Sequence, residues 1–262
     1  MNRAFRRARY MGRTYSLAAS TPTPTPGADP ATILTRYYFD AAVASLFTDA
    51  GSTNVSADNQ TVQQWNDTSG SGRHMSQATA GQRPLYRVSG AVRWVESTDG
   101  VRFIGRDEAS ILNQPHTQVV AFRVVGSTHT DGTPIIGPGS SNAFFTIVTA
   151  GLPSELRLSS FDGGGGSPPV ATGLSVDTDY IAVIRRENGS PGFIRIYSKT
   201  ALVGTFNGTF NANNPDGVAA FSSNAGSSIG KARIYAFGAK QGAALTSGEE
   251  ADVIAAFQAK LP

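Results

Sequence analysis

Breaking a glycosidic bond takes two carboxyl groups held about 5 to 10 Å apart, one donating a proton and the other assisting attack. The glutamates of this 262-residue chain stand at Glu96, Glu108, Glu155, Glu187, Glu249 and Glu250. Asp107 and Glu108 are adjacent, and Asp177 and Asp179 alternate. Placement in turns and at strand ends explains these pairs better than an acid and a base converging on one bond. The chain has no cysteine, which excludes disulfides, thiol nucleophiles and cysteine-held zinc. His74, His116 and His129 are scattered, and their spacing requires no shared metal. Asp67, Asp99, Asp131, Asp162 and Asp216 each lie in a Gly-rich stretch, where aspartate is first of all a turn former. The run Asp162-Gly163-Gly164-Gly165-Gly166-Ser167-Pro168 lacks the Gly-Lys-Ser/Thr ending and the helix of a phosphate loop. The chain is therefore expected not to be an enzyme.

Charge is distributed unevenly. The formal net charge is +3, yet Arg3, Arg6, Arg7, Arg9 and Arg13 all precede Tyr15, and the first acid is Asp29. Setting those five aside leaves 17 basic against 19 acidic residues, a body of net −2 unsuited to holding a polyanion. Phe5 and Tyr10 interleave with the arginines. Such an arm could neutralise phosphates and stack on bases, or dock in an acidic groove of a protein. Five arginines are few for packaging nucleic acid, so protein docking is the expectation. No apolar run approaches the roughly 20 residues of a membrane span. The basic start lacks a continuous apolar segment behind it, and Arg13 interrupts the stretch from Met11 to Ser20, so conventional export is not expected.

These residues need elements to position them. Residues 1–20 read as the basic arm and 21–32 as a Pro/Thr-rich linker that favours stiff polyproline II. From Ile33 the chain reads as one domain, 33–262. With 29 glycines, 14 prolines and 16% charged residues, it has the composition of many short strands joined by turns. Strands are expected at Val119–Val125, Phe144–Thr149, Leu156–Ser160, Tyr180–Arg186, Phe193–Ser198, Ala201–Phe206 and Ala232–Phe237. Lys199-Thr200 makes a tight reversal between two of them. One helix is marked at the end, where Thr246 and Glu249 form a capping box and Val253, Ile254, Phe257 and Leu261 an apolar stripe.

One stretch is more specific. Trp65-Asn66-Asp67-Thr68-Ser69-Gly70-Ser71-Gly72-Arg73-His74 continues through Gln77-Ala78-Thr79 to Pro84-Leu85-Tyr86. This W-x-D-x-S-G-x-G-R pattern, with Q-A-T and P-x-Y, resembles concanavalin A-like (laminin-G-like) jelly-roll domains, many of them in bacteriophage virion proteins. Tyr38-Phe39-Asp40-Ala41 resembles that family's opening strand. Val101-Arg102-Phe103-Ile104-Gly105 resembles another of its strands, with Ile104 where aspartate is common. Leu245-Thr246 and the helix after it resemble its ending, so the likeness runs from about Tyr37 to Leu261.

The resemblance implies an all-β sandwich with a short C-terminal helix. It implies structural roles for Trp65, Asp67, Gly70 and Gly72, with the Trp buried and the Asp bonded to a nearby backbone turn; Trp94 is expected to be buried as well. The glucanase branch sets its catalytic carboxylates at Glu-x-Asp-x-x-Glu spacing, which this chain lacks. Related lectin-like domains hold calcium through rim aspartates, so calcium is the one ion the resemblance allows. The setting it implies is a virion: a capsid decoration, head-fibre or tail-associated protein. The arm would hold it to a major capsid or tail protein, and the sandwich would face host-surface glycan, in a homo-oligomer expected to be a trimer. A capsid cement protein that binds no glycan, and a glycoside hydrolase, are the alternatives.

Overall fold

Alternation of inward and outward side chains on short strands builds two antiparallel layers, with one helix laid over the outside of the larger. The computed structural model describes residues 27–262 except 99, 127–132, 138–145, 151–155, 162–168, 188–190, 211–215, 224–227 and 230. The larger sheet has eight strands: β1 (Tyr37–Asp40), β2 (Leu85–Ser89), β3 (Val92–Ser97), β4 (His116–Val124), β5 (Asp179–Arg186), β6 (Pro191–Tyr197), β7 (Leu202–Thr209) and β8 (Ala232–Gln241). Their order is β7-β6-β5-β4-β8-β3-β2, with β1 also paired to β8. β3 takes Ala232–Ile234 of β8 and β1 takes Ala236–Ala239, so two strands share one flank of a long neighbour.

β4 is central, and it is apolar on both faces for that reason. Val120, Phe122 and Val124 enter the core between the layers, while Val119 and Ala121 lie under the helix. On β8 a bulge between Ile234 and Ala236 puts Tyr235 and Ala236 on the helix side together, with Ile234 and Phe237 on the core side. Facing this sheet is a six-stranded one made of Leu46–Phe47, Gln64–Trp65, Met75–Ser76, Ile104–Arg106, Ile136–Gly137 and Val218–Ala220. Trp65 reaches across from it to Phe39 and Phe237, at ring distances of 5.9 and 5.5 Å, while those two stack at 4.8 Å. Such aromatic pairs contribute about 0.5–1.5 kcal/mol each beyond the area they bury.

The C-terminal helix, Ser247–Gln258, starts at the expected capping box. Glu249 N–H donates to Thr246 Oγ1 at 3.2 Å, and Thr246 N–H to Glu249 Oε2 at 2.8 Å. Val253, Ile254, Phe257 and Leu261 are all buried against the sheet. Three ion pairs fasten the helix: Glu250 with Arg195 at 2.7 Å, Glu249 with Lys240 at 2.6 Å, and Lys260 with Asp40 at 2.5 Å.

Three details differ from the sequence reading. Pro30–Ile33 forms a helical turn that the sequence reading did not mark, because Asp29 accepts from Ala31 N–H at 2.9 Å and Pro30 supplies the first helical φ. Around Val101–Gly105 only Ile104–Arg106 is strand. Finally, Ile104, at the position where aspartate is common in the resembling family, faces the core and is fully buried.

Candidate functional site

Asp67 sits behind the Gln64–Trp65 strand as the centre of a tight loop. Its Oδ1 accepts from Tyr38 N–H and Ser69 N–H, both at 2.9 Å; its Oδ2 accepts from Arg73 N–H at 3.0 Å and from the Ser71 hydroxyl. Gly70 and Gly72 have φ of +85° and +73°, a conformation that residues with a Cβ rarely adopt. Partial burial alone would raise the Asp67 pKa, but the donors from Ser71, Tyr38 and Ser69 outweigh it and hold the carboxyl below its ordinary value. Trp65 is fully buried, with Nε1–H donating to Asp40 O at 2.8 Å. Trp94 is buried on the other face of the larger sheet, and its Nε1–H donates to Glu96 at 2.9 Å.

The loop delivers its next residues to the outer face of the six-stranded sheet. Met75, Trp65 and Leu46 pair across the core face, and so do Ile104, Ala220 and Ile136. Alternation then puts Gly137, Ala219, Gly105, Ser76 and Gln64 in one cross-strand row on the outer face. The row has little side-chain bulk. A Cβ on Gly105 would lie 3.0 Å from the Ala219 Cβ and 3.2 Å from the Val218 carbonyl, so the floor stays flush only with glycine there. Over the Ala219, Gly105 and Ser76 part of this row lies an open groove of about 550 Å³. His74, Gln77, Arg106 and Asp107 supply polar groups to it, and the half-buried Phe103 supplies an aromatic ring.

Hydrogen bonds fix the walls of the groove. His74 Nδ1 accepts from Asp67 N–H at 3.1 Å, which leaves the proton on Nε2 as a donor. Gln77 Oε1 accepts from Thr79 N–H at 3.0 Å. Arg83 donates to the carbonyls of Gln77 and Ala78, and Arg102 to the carbonyl of Arg83. At one end Glu108 joins Arg73 and Arg106, each Nε at 2.9 Å, with Arg36 at 3.6 Å. Burial works against ionisation of Glu108, but the hydrogen bonds and charges of Arg73 and Arg106 prevail and lower its pKa.

The remaining candidates separate. His116 is buried in the larger sheet, where desolvation and the Arg186 charge push its imidazole down to about 3. Asp216 accepts from Ser110 N–H at 2.8 Å. Among the described residues no three His, Asp or Glu side chains gather as metal ligands. Asp67 does not fit the calcium expectation, since four donors already occupy its oxygens. Asp99, His129, Asp131 and Asp162 lie outside the described residues, as do Arg3, Phe5, Arg6, Arg7, Arg9, Tyr10 and Arg13 of the arm. His74, Gln77, Phe103, Arg106 and Asp107 of the groove were not marked as ligand contacts by the sequence. The available signal was the position of Arg73-His74 and Gln77 directly after the turn motif.

The same architecture recurs in solved structures. The chain superposes on a GH54 α-L-arabinofuranosidase with a TM-score of 0.56 at 12% identity, over 89% of this chain and 65% of that one. It superposes on an arabinofuranosidase solved with arabinofuranosyl-α-1,2-xylobiose (TM-score 0.50, 12% identity, 76% and 51% covered). The receptor-binding domain of botulinum neurotoxin type G gives a TM-score of 0.50 at 13% identity, with 81% and 51% covered. This chain spans about half the length of the latter two. No protein-family model matches the chain, and no curated protein is similar to it in sequence. Fold and topology therefore define the class: an antiparallel β-sandwich of the kind found in these carbohydrate-acting and receptor-binding proteins.

Proposed function

We propose that this chain is a bacteriophage virion structural protein whose sandwich binds host-surface glycan without cleaving it and whose N-terminal arm holds it to another virion protein. The observation that carries the glycan reading is the open groove over the Met75–Ser76, Ile104–Arg106 and Val218–Ala220 strands, with its floor of Ser76, Gly105 and Ala219. Fixed polar groups beside an aromatic ring suit a polar ligand with apolar faces, which a sugar is. The fold shared with arabinofuranosidases supports the same reading. The virion setting rests on the resemblance of the Trp65–His74 motif, and the tether on the arginines that precede Tyr15. A shallow groove binds weakly, and display in many copies would multiply its effect.

A glycan microarray probed with the protein and with Ser76→Trp tests the binding claim. The expected result is a set of hits that the variant loses; an array without hits overturns adhesion and leaves a cement role. Incubation with the hit polysaccharide is expected to release no new reducing ends, and their release would overturn the non-catalytic reading. Deleting residues 1–20 should remove the protein from assembled particles while its circular dichroism stays unchanged. Truncated protein in purified particles would refute the tether.

A further inference from the structure

The two edges of the eight-stranded sheet are built differently. At β2 the segment 58–62 takes the outward backbone groups. Tyr86 N–H donates to Gln60 O at 2.8 Å, Asn59 N–H to Tyr86 O at 2.9 Å, Val62 N–H to Pro84 O at 2.8 Å, and Val88 N–H to the Asp58 carboxylate at 2.9 Å. Arg87 adds a charge bound to Asp58. That edge is closed to another strand.

β7, the opposite edge, pairs only with β6. From Leu202 to Gly208 its outward backbone groups have no protein partner among the described residues. The Val170–Leu174 strand approaches both β6 and β7, so it lies over their face and not beyond the edge. Proteins commonly guard an open edge with lysine, proline or a bulge. The sequence Leu202-Val203-Gly204-Thr205-Phe206-Asn207-Gly208-Thr209 has neither charge nor proline. Its one bulge is at Val203, leaving Gly204–Thr209 in regular register. The lysine of the adjoining hairpin is turned away, with Lys199 Nζ held by the carbonyls of Leu261 and Pro262 at 3.0 and 2.7 Å. Leu202 and Val203 are about half exposed, at 52% and 48%.

We propose that β7 docks a second copy of this chain, edge to edge and antiparallel, to make one continuous sheet across a two-fold axis. An axis at Thr205 sets Thr205 against its own copy and Gly204 against Phe206, residues that share a face of the sheet. The uncharged strand meets itself without like charges opposed. Such an interface is self-complementary and closes at two copies, because the β2 edge is already capped. The pair would present two grooves from one particle, which strengthens attachment but is not required for dimer formation.

Sedimentation velocity on the full chain, from about 1 to 100 μM, tests this. The expected species has twice the 27.4 kDa chain mass. Thr205→Lys, on an exposed side chain, should shift it to one chain mass with unchanged circular dichroism. Because the chain contains no cysteine, Thr205→Cys offers an independent readout: mild oxidation should give a covalent dimer, with the same treatment of the unaltered chain as the blank. A monomeric unaltered chain, a trimer, or a dimer that persists in Thr205→Lys and resists crosslinking through Thr205→Cys would overturn the proposal.

Discussion

Asp67 ties the turn after Trp65 to β1, and four hydrogen bonds converge on one buried carboxylate there. Asp67→Ala leaves those donors without their acceptor and is expected to cost about 2–3 kcal/mol, read as a lower urea midpoint with an unchanged slope. His116 gives a pH signature. Its folded pKa is lowered to about 3, while the unfolded imidazole titrates near pH 6.5. Between those values the unfolded chain binds the extra proton, so stability should fall as pH drops from about 6.5 towards 3. The lowered Asp67 and Glu108 act in the same direction, their contribution being lost as pH falls below about 4. His116→Gln should flatten the upper part of that curve, and an unaltered slope between pH 6.5 and 4.5 would contradict the assignment. At this scale the turn motif was legible because Asp and Gly do local work that sequence displays. The burial of His116 was not, because it depends on strands 60 residues and more away.

Elements divide by length. The C-terminal helix could be read from the Thr246–Glu249 box and the Val253, Ile254, Phe257 stripe, since helical spacing carries its own signal. Thr246→Ala should remove about 1 kcal/mol. Phe257→Ala, which empties a fully buried site stacked on Tyr38 at 6.0 Å, should remove about 3–5 kcal/mol. Thermal melts of the two variants would rank them. The long strands β4, β5, β6 and β8 were legible from their apolar runs. Four strands of the six-stranded sheet are only two residues long: Leu46–Phe47, Gln64–Trp65, Met75–Ser76 and Ile136–Gly137. No periodicity can be read from two residues, so the sheet that carries the groove was not apparent before folding.

The whole molecule separates stability from recognition. The central strands of the larger sheet are covered on both faces, by the core and by the helix. Its helix-side groove of about 410 Å³, between β6, β7 and the helix, is crossed by the Arg195–Glu250 ion pair. The smaller sheet turns Trp65, Met75 and Ile104 into the core, and along Ser76 and Gly105 its other face borders the groove. The most direct test of this division is amide hydrogen exchange of the protein with and without a glycan that it binds. Protection is expected at Met75–Ser76 and Ile104–Arg106, and should be absent in Ser76→Trp. Protection confined to the helix side of the larger sheet, with the groove strands exchanging as before, would contradict it.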